Sequence, residues 1–338
     1  MSEVKSEPRT EAPAGAVKRE SPRGSFLRQR LQQSLAFGTL IVLLAFFSLA
    51  SGNFFTWTNI SGILLSTAVI GILAFGTTLV IITSGIDLSI GTGMTLCSVV
   101  TGLLLVNLQL PLYIGVLGGI ATGALMGLIN GLNVSILKLP PFIATLAMML
   151  IAQGLALVLS GVRPIYFSKV QGFKDIALGQ LIPGLPNAVL ILVLTGIAAY
   201  LVLGKTLLGR YIFAIGSNEE ATKISGVNTG KWKILVYTVA GIFTGVAGVV
   251  IAARLDSAQP QLGSGYELQA IAAVIIGGTS LLGGRGSVLG TLIGALIMSV
   301  LINGLRIMSV QTEWQTVVVG IVILVAVFTD SLRRRREA

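Results

Sequence analysis

The chain has 338 residues, of which 54% are hydrophobic and only 11% charged, with a mean hydropathy of +0.90. A soluble domain carries about 25% charged residues, so charges this sparse cannot coat a soluble surface. The net charge of +10 does not point to nucleic acid, because the basic residues flank apolar runs and lack the aromatic interleaving that single strands require.

Residues 1–30 are rich in Glu, Pro, Ser, Lys and Arg, and residues 1–34 read as a disordered basic cytoplasmic tail. A signal peptide over residues 1–52 is the rival reading. Its charged region would be unusually long and another apolar run follows almost at once, which favours a retained first helix. No Lys, Arg, Asp or Glu occurs between Ser34 and Ser84, and that stretch exceeds the roughly 20 apolar residues that one spanning helix needs. Spanning segments are helices or closed barrels; long unbroken runs favour helices, since barrel strands alternate apolar with polar.

The runs predict an all-α polytopic membrane protein of about ten spans: 35–52, 60–83, 89–106, 112–134, 141–161, 187–203, 234–255, 267–282, 286–305 and 314–330. The eighth is short enough to be broken or re-entrant. Together these make a permease-sized domain over 35–332, followed by a basic tail at 333–338.

Between the second and third spans lies the polar stretch Ser84–Ser89, where Asp87 either caps the following helix or acts in transport. The single cysteine, Cys97, sits in an apolar run and reads as a packing residue. With one cysteine and no histidine there is no disulfide framework, no metal site and no Ser/His/Asp set, so neither catalytic residues nor a metal is expected. Gly115, Gly119, Gly123, Gly127 and Gly131 recur every fourth residue; Gly241 and Gly245 repeat that spacing, as do Gly286, Gly290 and Gly294. Small residues so spaced let helix backbones approach closely, either within one subunit or at a seam between subunits.

Gly204-Lys205-Thr206 looks like the end of a phosphate loop, but Ala199 occupies the position where that pattern needs a glycine. Nucleotide energy must then come from another chain. The long segment 204–233 contains a short amphipathic helix starting near Ser217 or Asn218, and it stops at Ser225-Gly226, where glycine can turn left-handed. This helix is either a solvated linker or a docking surface. Asp87, Asp256, Glu267, Glu313 and Asp330 all fall at span edges, which weakens the case for ion coupling.

With the amino terminus inside, eighteen of the 23 Lys and Arg fall on inside segments and five outside, as the positive-inside rule requires. Trp57 and Trp314 then lie near outer span ends and Trp232 near an inner one. Spans 2–5 begin outside and spans 7–10 inside, an inverted-block arrangement met in transporters.

Tyr211–Val227, reading Tyr-Ile-Phe-Ala-Ile-Gly-Ser-Asn-Glu-Glu-Ala-Thr-Lys-Ile-Ser-Gly-Val, resembles the cytoplasmic coupling segment of ribose-type ABC transporter permeases, the binding-protein-dependent branched-chain amino acid and sugar permeases. Thr83–Gly91 and Gly277–Gly286 resemble two further signatures of that family; Thr222 and Val227 are mild departures. The resemblance implies a coupling role for Gly216, Asn218, Glu219, Glu220, Ala221, Ser225 and Gly226. It implies a transport or structural motif at Gly85, Asp87, Ser89, Gly277, Gly278, Gly283, Gly284 and Arg285. It also implies a multi-pass bacterial inner-membrane permease that imports a monosaccharide such as ribose and has no cofactor of its own. Its partners would be a cytoplasmic ATP-binding cassette ATPase, a periplasmic or surface solute-binding protein, and a second permease subunit, in a homodimer or, alternatively, a heterodimer. An ion-coupled secondary transporter is the alternative.

Overall fold

Apolar runs punctuated by Pro and Gly set the helix boundaries. A computed structural model describes residues 22–335. The long helices are α1 (Pro22–Ala50), α2 (Trp57–Ile82), α3 (Ile90–Gly102, continued by a π-helical turn Leu103–Asn107), α4 (Leu112–Ser135), α5 (Pro141–Ser160), α7 (Asn187–Lys205), α10 (Thr229–Leu255), α12 (Val288–Ile307) and α13 (Thr312–Arg335). Shorter ones are α6 (Asp175–Leu178), α8 (Leu207–Ser217), α9 (Glu219–Ile224) and α11 (Tyr266–Ile276). Pro111, Pro140 and Pro186 stand immediately before α4, α5 and α7, where a fixed φ suits a helix start and no amide is lost. Gly161, at φ 61°, stops α5 in the left-handed conformation.

Eight of these helices are long and apolar enough to cross a membrane. Two expectations need correction. Residues 22–34, read as disordered tail, belong to α1, which opens on Pro22 at a favourable first-turn position; residues 1–21 lie outside the described residues. At the other end α13 runs on to Arg335, so the basic tail continues a helix, and residues 336–338 are outside the described residues. The eighth run forms only α11, whose 11 residues rise about 16 Å, roughly half the hydrocarbon thickness.

Helices α2–α4 and α10–α12 pack reciprocally. Helix α4 runs against α10 while α12 runs against α2, and α3 lies beside α10 while α11 lies beside α2. The glycine row of α4 makes this possible. A Cβ on Gly123, Gly127 or Gly131 would strike the α10 backbone at Gly241, Tyr237 or Ile234. Gly290 and Gly294 likewise lie against the α11 end at Gly277 and Ala273. Both seams lie inside one subunit.

Helices α3 and α11 both start within the bundle rather than at its ends. Gly93 packs level with Thr244, in the middle of α10, and Gly91 lies against Gly263 and Glu267 at the start of α11. Irregular backbone at membrane depth is tolerated where protein satisfies it. Here Ser84 Oγ donates to the Leu282 carbonyl at 2.6 Å, Gly284 N to Ile82 O at 2.9 Å, and Thr145 Oγ1 to Ile86 O at 3.3 Å.

The centre of the bundle is α2, buried without interruption from Thr67 to Ile82, with α10 and α11 around it. Large apolar side chains such as Leu117, Val158, Leu194 and Leu324 stay exposed on α4, α5, α7 and α13, the pattern of a lipid-facing surface. At one end, β1 (Ile165–Tyr166) pairs antiparallel with β2 (Ser257–Ala258), and the buried rings of Phe167 and Phe173 stack at 4.0 Å beneath the connection.

Candidate functional site

At the opposite end of the bundle the three sequence motifs converge. Helix α8 begins at Thr206, whose hydroxyl accepts from Gly209 N at 3.2 Å, and its amphipathic face lays Leu208, Ile212 and Ile215 into the core. It ends at Gly216, where a Cβ would strike the Ile82 carbonyl and the Gly284 amide. Gly283 sits against Ser84, Ile82 and Gly216, and Gly284 against Ser217. Gly278, Gly283 and Gly284 have φ of 90°, 86° and 71°, a conformation that only glycine adopts without strain. Gly277 has ordinary φ, and its constraint is the close approach to Gly290. Ser280 N donates to the Arg285 carbonyl at 3.1 Å, closing this glycine loop on itself.

Beyond this junction α9 projects from the bundle. Asn218 is its cap: Oδ1 accepts from Ala221 N at 2.9 Å, and the Asn218 carbonyl accepts from the buried Thr222 hydroxyl at 2.7 Å. Glu219 and Glu220 occupy the first turn and Lys223 the last, as the helix dipole favours. Ser225 returns a hydrogen bond to Ala221 O at 2.9 Å, and Gly226 turns the chain at φ 85° with open space around it. Glu219 is not a free carboxylate: Lys233 at the start of α10 pairs with it at 2.6 Å. Glu220, Ala221, Lys223, Ser225 and Ile224 are exposed, Ile224 by 82%. A groove of about 910 Å³ opens beside α9, walled on the far side by Lys138, Leu139 and Pro140 of the α4–α5 connection. Sequence reasoning missed Ile224, Lys233 and this second wall. Nothing local ties residues 138–140 to α9, although the exposed apolar residue in an acidic–basic helix was a readable sign.

Asp87 lies between the end of α2 and the start of α3, as expected, but it is buried, 3% exposed. It does not cap α3 at the N-cap position, which Ser89 holds. Its Oδ1 accepts from Ser89 N at 2.9 Å and Ser89 Oγ at 2.6 Å, while Asn130 Nδ2 of α4 donates to Ser89 Oγ at 2.9 Å. The Tyr237 hydroxyl closes on the same turn, next to Gly85, which has room for no side chain. Glu267, also expected at an edge, is 8% exposed and accepts from Gly265 N at 3.0 Å, between the starts of α11 and α3. Among the described residues no cluster of His, Cys, Asp and Glu suits a metal.

The family model of the branched-chain amino acid transport system permease component matches residues 59–327. The ribose import permease protein of Escherichia coli (strain K12) is 42% identical over 317 residues, 93% of this chain and 98% of the relative. That of Haemophilus influenzae is 40% identical over 304 residues, 89% and 94% of the two chains. The galactose/methyl galactoside import permease protein of Haemophilus influenzae is 37% identical over 241 residues, 68% and 70%. No solved structure matches. The matched region runs from α2 almost to the end of α13 and takes in both helix breaks and the whole of α8 and α9, so the chain belongs to the family of branched-chain amino acid transport system permease components, as a multi-pass membrane protein.

Proposed function

We propose that this chain is the membrane-spanning subunit of an ATP-driven importer for a monosaccharide, ribose being the first candidate. The observation that carries the reading is the convergence of α8, the Ser84–Ser89 turn and the Gly277–Gly286 loop at the foot of the exposed helix α9. A partner that pushes on α9 displaces Gly216, and with it the backbone junction at Ile82 and Gly284 where α2 ends and the approach to α12 begins. Both helix breaks abut that junction, so a force on α9 reaches the middle of the bundle through backbone contacts that leave no slack. An ATPase dimer that closes on ATP would bias the bundle between two arrangements, provided it binds one more tightly than the other. The relatives' names, ribose and galactose import permeases, support the monosaccharide class.

In this reading α9 and both termini face the cytoplasm, the β1–β2 end faces outward toward a solute-binding protein, and two copies of the chain pair around the pore. The coupling residues are Gly216, Asn218, Glu219, Glu220, Ala221, Ser225 and Gly226. In this reading ATP binds the partner, which is supported by Ala199, inside helix α7, standing where a phosphate loop ending in Gly204-Lys205-Thr206 would need a glycine.

Buried Asp87 and Glu267 are the observation that favours the second reading, an ion-coupled transporter. Reconstitution with the ATPase and binding protein separates the two. Ribose uptake that requires ATP and ignores an imposed proton or sodium gradient is expected, and the permease alone should hydrolyse no ATP. Uptake driven by a gradient without ATP would replace the reading.

A further inference from the structure

Toward the β1–β2 end of the bundle, α2, α11 and α12 line a cavity of about 70 Å³ whose polar residues are Ser66, Tyr266, Gln269, Ser299, Asn303 and Arg306, with Ile70 and Ile302 beside them. Its lining is mostly polar where the surrounding helices are apolar, and it contains no carboxylate. Ser299 is 1% exposed and its hydroxyl meets no protein partner; Asn303 is half-buried, but its Oδ1 atom is shielded from solvent and likewise unpartnered. Unsatisfied polar atoms buried this way cost free energy, and they persist where something else meets them. At the rim Arg254 Nη2 donates to Ser66 Oγ at 3.2 Å. Two of the lining residues, Tyr266 and Gln269, belong to the first turn of the half-helix α11; interrupted helices are where transporters build solute sites.

We propose that this cavity is a solute-contact site on the translocation path, taking the ring hydroxyls of a neutral monosaccharide. The proposal rests on the importer reading above. The chemistry selects the ligand class. Asn303 Oδ1 accepts only, so its partner must donate a proton, which an ionised carboxylate or phosphate cannot do. The guanidinium groups donate only, so the same ligand must also accept. Hydroxyl groups do both on one atom, whereas protonated ammonium groups and metal cations lack the second capacity, and no acidic residue lines the cavity to hold a cation. The Tyr266 ring offers an apolar face to the carbon-bound hydrogens of a sugar. The volume suits about two waters, each occupying roughly 30 Å³, and is smaller than a monosaccharide. On this proposal the cavity is the closed form of the site, which a sugar enters once the α11–α12 contact opens.

The test uses the whole transporter in proteoliposomes, with D-ribose uptake and ATP hydrolysis measured together. Asn303→Leu and Gln269→Leu are expected to lower ribose moved per ATP hydrolysed about tenfold, the loss that follows from one unmet polar group, and Asn303→Ser to recover much of it. Uptake per ATP within twofold of wild type in both leucine variants would make the cavity a holder of structural water and overturn the proposal. Asn303→Cys in a Cys97→Ala background covers a failure of the leucine variants to assemble. Its reaction with a small charged methanethiosulfonate should be faster during ribose turnover than at rest, and equal rates would overturn the proposal. Failure of the importer reading is visible separately: wild-type proteoliposomes would then take up no monosaccharide on ATP addition, and the contact site would fall with it.

Discussion

Single glycines decide how closely the helices lie. At Gly123 the neighbouring atoms are the Gly241 carbonyl and the Gly245 backbone, not side chains that can turn aside. A leucine there must part α4 from α10, and overpacking of that kind costs about 1–3 kcal/mol or more. Leu117 is 61% exposed on the same helix. Gly123→Leu is expected to reduce the yield of monodisperse protein in detergent size exclusion several-fold, with Leu117→Ala near wild type; equal yields would deny the seam its role. The spacing of this row was legible in the sequence, because period four is a local property. Its partner helix was not, because Gly241 lies more than a hundred positions away. The burial of Asp87 was hidden for the same reason: its turn is completed by Asn130, on another helix.

The segment from α8 to α9 was the most readable element, since cap, acidic first turn, basic last turn and glycine stop all follow from neighbouring residues. The structure adds that Lys233 holds Glu219. An exposed pair of this kind contributes about 0–1 kcal/mol, so reversing its charge should leave the bundle folded. Glu219→Lys, which sets two lysines against each other, is expected to lower both ATPase co-purification and uptake by an order of magnitude at matched membrane levels. Gly226→Val should act similarly, since a branched residue resists the positive φ found there. Normal binding and uptake in both variants would make α9 a linker. Helix α11 was only half legible. Its apolar run continues into Gly277 and Gly278, and hydropathy alone could not show that the helix stops at Ile276.

For the whole molecule, the apolar runs revealed a polytopic helical bundle, because hydrocarbon sets a minimum length for each full span. How helices α2–α4 and α10–α12 exchange partners depends on contacts between distant helices, and no periodicity encodes that. The lysine and arginine bias predicts the orientation, which can be tested with cysteines after Cys97 is replaced. Ser168 and Ser217 are both exposed, at opposite ends of the bundle. An impermeant reagent applied to intact cells should label Ser168→Cys and spare Ser217→Cys; the reverse pattern would invert the topology.

The seam between α4 and α10 also limits how such a chain can change length over time. One residue inserted between Gly123 and Gly127 would turn everything beyond it by about 100°, moving Gly127 and Gly131 off the α10 backbone and putting Asn130, and Met126 or the inserted residue, in their places. The same insertion near Ser168, in the exposed connection after β1, only lengthens a loop. Helix phase is thus a fixed quantity in this bundle. A scan of single-residue insertions should find α4 intolerant over the whole glycine row and the β1–α6 connection permissive, with uptake as the readout.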